Sequence, residues 1–189
     1  MRIISGKHRG RRIEMHDGAE IRPTSGRTRE AIFNILTHGS FGRDGESPLI
    51  GKRAVDIFCG TGALGLEALS RGALHVTFVD RTPASLNLAR ENVERFGEEA
   101  ASKFIRSDST QLPKAMQPCT VAFADPPYNK GQAAPALKSL REQGWLEPDA
   151  IVVLELAAKE LIDLPEGYEQ LDERRYGNSK ILILRHIAG

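Results

Sequence analysis

Cysteine is nearly absent: Cys59 and Cys119 are the only two in 189 residues, and they stand far apart. They form no C-x-x-C pair, so a disulfide framework and a cysteine-based zinc site are both excluded, and no metal is expected. No apolar run approaches the roughly 20 residues that cross a bilayer, so no membrane partner is expected. The opening Met1-Arg2-Ile3-Ile4-Ser5-Gly6 is too short in apolar length for a secretory leader, which makes a cytoplasmic protein the expectation. Internal repeats and low-complexity segments are lacking too. What remains is ordinary for a globular chain, with 40% hydrophobic and 27% charged residues. That length fits one domain with a small appendage, and nothing in it calls for more than a monomer.

Net charge is only +1, but it is unevenly placed. Residues 1–53 hold 11 Lys and Arg against 6 Asp and Glu, and the remainder holds 15 against 19. Arg2, Lys7, Arg9, Arg11 and Arg12 open the chain before any acid appears. Such asymmetry suits a polyanion landing on one end of the molecule. Segments 2–5 and 11–13 flank a Gly6–Gly10 turn and predict a basic β-hairpin. After a polar loop, Arg22-Pro23-Thr24-Ser25-Gly26-Arg27-Thr28-Arg29 leads into a helix whose apolar face is Ala31, Ile32, Ile35 and Leu36. Thr24 or Ser25 can cap it, leaving Arg22, Arg27 and Arg29 to meet phosphate. The expected division is a basic extension over residues 1–50 and a main domain over 51–189.

The main domain is organised around Val55-Asp56-Ile57-Phe58-Cys59-Gly60-Thr61-Gly62-Ala63-Leu64-Gly65. A short apolar strand over 53–58 gives way to an amphipathic helix over 63–71, with glycines where the chain must turn sharply. Strand, glycine turn and helix N-terminus make a nucleotide-binding corner. The letters also satisfy G-x-G-x-x-G, with Asp80 falling 20 residues after Gly60, so an NAD(P)-dependent oxidoreductase is a competing expectation. Asp56 points away from it, because a carboxylate four residues before the first glycine would repel a pyrophosphate. It suits the amino end of S-adenosylmethionine.

Further β-α units follow, with strands at 75–79, 103–106, 120–124 and 151–156, helices at 83–96 and 132–143, and a hairpin from 168–175 and 180–185. Thr82 can cap the helix that begins at Pro83. The expected fold is α/β, a doubly wound Rossmann-like sheet, mostly parallel with an antiparallel C-terminal hairpin. Asp56, Asp80, Asp108 and Asp125 then fall at adjacent strand ends, where an open α/β sheet binds its ligand. Asp80 is placed for the ribose hydroxyls and Asp108, beside Ser109, for the adenine, with Phe58, Thr61, Gly62 and Arg81 completing the cofactor set. Asp125-Pro126-Pro127-Tyr128 carries the chemistry: Asp125 and the Pro126 carbonyl accept the protons of an exocyclic amine, and Tyr128 stacks on the base.

These stretches, together with Arg29-Glu30-Ala31-Ile32-Phe33-Asn34-Ile35-Leu36 and the basic opening, resemble the bacterial 16S ribosomal RNA guanine(966)-N2-methyltransferase family over nearly the whole chain. The resemblance implies S-adenosylmethionine in the glycine corner, Asp125 to Tyr128 as the amino-group site, and contact of the N-terminal hairpin with ribosomal RNA of the small subunit. Gly26 stands where the resemblance implies an acid, so Ser25 must take over the cap. An adenine-N6 nucleic-acid methyltransferase would share the Asp-Pro-Pro-Tyr turn but would need a target-recognition domain for which the chain has no room. A non-catalytic RNA-binding module would have no use for that turn.

Overall fold

In the computed structural model, residues 1–15, 26–38, 41 and 46–188 are described. Arg22 and the expected caps Thr24 and Ser25 lie outside them. The main domain forms as its patterning dictates. Strands β1 (Arg53–Ile57), β2 (His75–Asp80), β3 (Ser102–Arg106), β4 (Cys119–Ala124) and β5 (Leu146–Ala157) run parallel, and β6 (Tyr168–Tyr176) and β7 (Ser179–His186) add an antiparallel edge. Their order, β3-β2-β1-β4-β5-β7-β6, reverses direction between β1 and β4. That switch point opens a crevice at the carboxyl ends.

Period-two alternation gives the sheet a core on each face. Ala54, Val76 and Phe78 face helices α1 (Gly26–His38), α2 (Ala63–Ser70) and α3 (Pro83–Phe96), while Val55, Ile57 and Val79 face the side covered by α4 (Ala133–Glu142). Thr82 occupies the N-cap of α3 with Pro83 behind it, but its side chain makes no capping bond. The backbone N–H of Thr82 itself is held by Asp80 Oδ1, which accepts it at 2.8 Å.

The basic hairpin forms, but as a short one. It is reduced to a single antiparallel bridge, Arg2 with Arg12, flanked by backbone bonds from Ile3 N to Arg11 O and from Ile13 N to Met1 O. Its outer side is taken up by α2. Glu67 is wholly buried and accepts from Ile4 N at 2.8 Å, Ser5 N at 3.0 Å and Arg71 Nε at 2.8 Å, so two backbone donors of the hairpin bond a carboxylate. Ser70 continues the clasp: its carbonyl accepts from Lys7 N, and its hydroxyl accepts from His8 N and donates to the Ser5 carbonyl. Gly6 is required there, since an added Cβ would lie 1.8 Å from the Ser70 carbonyl oxygen. At the far end Asn92 of α3 holds both backbone groups of Glu14 and donates to Thr61 O.

The first fifteen residues therefore form a strap across α2 and α3. Ile3 and Ile13 join the same apolar cluster as Leu66, Leu69 and Val93. Helix α2, expected to be amphipathic, is buried at every position because the strap covers its outer side. Glu67→Ala leaves two backbone donors and Arg71 without their acceptor. It is expected to lower unfolding stability by about 3 kcal/mol and to deprotect residues 1–14 in hydrogen exchange before the sheet opens. Urea denaturation and exchange mass spectrometry check both.

Candidate active site

The carboxyl ends of β1, β2 and β4 surround a cavity of about 420 Å³, within the range that holds a cofactor-sized ligand. Its wall includes Asp56, Phe58, Gly60, Thr61, Asp80 and Arg81 from the first two strand ends, and Asp125, Pro126, Pro127 and Tyr128 from the third. The glycine loop and the Asp-Pro-Pro-Tyr turn, 60 or more residues apart in the chain, thus face one space. Strand β1 stops at Ile57, one residue earlier than expected. Phe58 then takes φ +59°, an uncommon conformation for a residue with a side chain, and Gly60 and Gly62 follow at +52° and +76°. Such local strain concentrates where a ligand approaches the backbone. Gly62 N-caps α2, and a Cβ on it would press at 3.2 Å against both Phe78 and Ala89.

The acids are held by the backbone they adjoin. Asp56 is 1% exposed, and its Oδ2 accepts the Gly65 N–H in the first turn of α2 at 2.9 Å. Asp80 Oδ2 accepts the Gly60 N–H at 3.1 Å. The α2 N-terminus, which a pyrophosphate would need, already holds a carboxylate, and the dinucleotide expectation fails on that geometry. Burial pushes the Asp56 carboxyl up to about 8; the Gly65 bond opposes this and Asp80 adds to it. An ammonium group entering the cavity supplies the countercharge Asp56 lacks, so the donor set fits S-adenosylmethionine. Burial, then Asp56 and Asp80, raise the Cys59 thiol well above its ordinary value, so this wall residue is no nucleophile.

Other expected residues are placed differently. Asp108 and Ser109 are not part of the cavity wall. The Asp108 carboxylate turns back to accept from Thr110 N at 2.9 Å and Thr110 Oγ at 2.7 Å, which holds it below the usual carboxylate range. A local Asx turn outcompetes an outward pose. Arg29 is a correction: it is 1% exposed, donates to the Arg2 carbonyl at 2.8 Å and to the Met1 sulfur, and cannot present itself to phosphate. Burial lowers its guanidinium below the ordinary arginine value, against the pull of Glu67. Arg9, Arg12 and Arg27 are exposed. Arg2 reaches Gly10 O, Lys7 pairs with Glu98 at 2.7 Å, and Arg11 lies over the Phe96 ring at 4.5 Å while donating to Arg95 O.

Sequence reasoning missed several residues. Met1, Leu64, Ser85 and Gln132 also line the cavity. Behind it, Glu155 accepts the Tyr128 hydroxyl at 2.8 Å, and Glu160 accepts the Asn129 N–H at 2.9 Å. A lone Glu inside the apolar run Ile151-Val152-Val153-Leu154-Glu155-Leu156 was a readable signal for the first of these. Among the described residues no group of His, Cys, Asp and Glu could hold a metal ion, and no helix is long and apolar enough to cross a membrane.

Comparison with known proteins identifies relatives of the chain. The family described as "Conserved hypothetical protein 95" matches residues 1–185. Ribosomal RNA small subunit methyltransferase D of Haemophilus influenzae is 32% identical over 182 residues, covering 94% of this chain and 89% of that one. The Escherichia coli K12 protein of the same name is 31% identical over 155 residues, covering 82% and 74%. The solved Escherichia coli protein yhhF superposes with a TM-score of 0.83 at 28% identity, covering 100% of this chain and 99% of that one.

The raised carboxyl of Asp56 has a stability consequence. Between about pH 4 and pH 8 the unfolded chain releases this proton while the folded chain keeps it, so stability without ligand falls as pH rises through that window. Asp56→Asn keeps an oxygen for Gly65 and removes the titration. It is expected to flatten the decline and to exceed wild type in stability near pH 8, as thermal denaturation across a pH series will show.

Proposed function

The chain belongs to the Conserved hypothetical protein 95 family, and from that premise we propose that this S-adenosylmethionine-dependent ribosomal RNA methyltransferase modifies the N2 amino group of a guanine in 16S RNA, on an assembled or assembling small subunit. The observation that carries the reading is the shared cavity: the glycine corner and the Asp125 to Tyr128 turn line one space. Bound there, S-adenosylmethionine supplies a methyl group activated by a sulfonium leaving group, so no metal or covalent nucleophile is required.

The residues of the chain supply position. Asp56 meets the amino end of the cofactor and Asp80 its ribose, with Phe58, Thr61, Gly62 and Arg81 around them. Asp108, whose Thr110 bonds use Oδ1 alone, and Ser109 are kept for the adenine. Asp125 and the Pro126 carbonyl each accept one amino proton, drawing the nitrogen towards a tetrahedral shape with its lone pair free for the methyl. The proton lost on methylation leaves along the Asp125 bond. Two prolines fix φ and hold those acceptors in set directions, and Tyr128 stacks on the base to fix its approach. The base must leave its stack, at a cost of a few kcal/mol, which favours a guanine already exposed on a folded particle over one in a free oligonucleotide.

Labelled methyl transfer to unmodified small-subunit particles tests the reading. Label on one guanine N2, abolished by Asp125→Ala with S-adenosylhomocysteine binding retained, is the expected result. Label on adenine N6, or none despite cofactor binding, refutes the substrate. A second expectation concerns the strap. Arg9→Ala with Arg12→Ala removes two exposed cations while leaving the backbone clasp intact. It is expected to weaken RNA binding and reduce the slope of log affinity against log salt by roughly 1–2, with S-adenosylhomocysteine affinity unchanged in calorimetry.

A further inference from the structure

We propose that Glu155 is a positioning residue for the amino-group site: it tethers the Tyr128 hydroxyl from behind and sets the plane in which the ring meets the base. The inference rests on reading Asp125 to Tyr128 as that site, and adds a residue from a different strand to it.

Sheet register supplies the juxtaposition. Ala124 at the end of β4 pairs with Leu154 of β5, so the chain leaves β4 at the level of Glu155. Glu155 shares its face with Ile151 and Val153, pairs with Ile181 of β7, and is 4% exposed. Taking a carboxylate out of water there is costly, and an apolar side chain would serve the sheet better. Its retention points to a polar role, and one partner is the Tyr128 hydroxyl at 2.8 Å, which the Ser179 hydroxyl also faces. Glu155 itself does not line the cavity, whereas Tyr128 does. The carboxylate therefore acts on the reaction through the ring.

The opposite end of the turn is fastened in the same manner. Glu160 Oε2 accepts Asn129 N at 2.9 Å and Ala157 N at 3.4 Å, binding the residue after Tyr128 to the end of β5. Asn129 takes φ +55°, so the chain bends sharply where it is fastened. Stiff prolines precede the ring, a carboxylate holds its tip, and a second carboxylate holds the exit. A tyrosine on an exposed loop could swing about χ1 and χ2; one held at both ends presents a single face. Burial first, then Glu155, raises this phenol above its ordinary value, so it stays a neutral donor to the carboxylate at physiological pH.

Four variants test the tether: Tyr128→Phe, Glu155→Ala, Glu155→Gln, and Tyr128→Phe with Glu155→Ala. The first two are each expected to lower kcat on small-subunit particles by roughly tenfold or more, with little change in KM. The double variant falls no further than the worse single, because both remove one interaction. Glu155→Gln keeps an oxygen acceptor and stays within a few-fold of wild type, and S-adenosylhomocysteine affinity is the same in all four. Wild-type turnover in Glu155→Ala, or losses that multiply in the double variant, overturns the proposal. Ring-labelled tyrosine NMR reads the tether without substrate: Tyr128 signals move in Glu155→Ala and hold in Glu155→Gln. Unmoved signals in Glu155→Ala overturn the tether whether or not RNA is methylated. Moved signals in a protein whose wild type methylates no RNA overturn the substrate reading and leave the tether standing.

Discussion

A carboxylate enclosed in the middle of a helix must find every partner inside the protein, and Glu67 finds them in the first five residues of the chain and in Arg71. That requirement organises the upper half of the molecule. The strap lies where it does because two of its N–H groups complete the shell of Glu67, and lying there it covers α2, which opens on the glycine corner. Remove the strap, and a helix buried at every position would expose its outer side to water. Helix α2 is short and starts at a glycine without a side-chain cap, so enclosure rather than propensity keeps it formed.

The sheet contributes the complementary constraint. Because its order reverses between β1 and β4, the carboxyl edge opens there, and the chain places acids on both sides of the gap. Each acid is occupied before any ligand arrives: Asp56 by Gly65, Asp80 by Gly60 and Thr82. These bonds align the carboxylates and shape the glycine loop at once. Preorganisation of this kind lets the site bind without first ordering its own groups. A buried, proton-holding Asp56 is the local cost, and it is repaid only when a cation enters.

Much of the fold was legible from pattern alone. The switch from period two to period 3.6 across Gly60 and Gly62 is a local signal, as is Asp125-Pro126-Pro127-Tyr128 at the end of an apolar strand, and both landed on one cavity. Features that depended on distant partners were not legible. Arg29 carries every local mark of an exposed cation, yet its acceptors are the Arg2 carbonyl and the Met1 sulfur, which no spacing rule connects to it. Asp108 follows β3 as expected, but Thr110, two residues on, captures it. The Glu155 tether was half legible: a charge within an apolar run marks a need for a partner without naming it.

The strap also imposes an order of events on the growing chain. Ile4 joins Glu67 across 63 positions, Glu14 joins Asn92 across 78, and His8 joins Glu98 across 90. The strap is synthesised before α3 and has no complete seat until that helix has left the ribosome, so it is among the last pieces of this half to lock. Met1 then becomes part of the cavity wall. A residue made long before the chamber around it is thus one of the last stones set there.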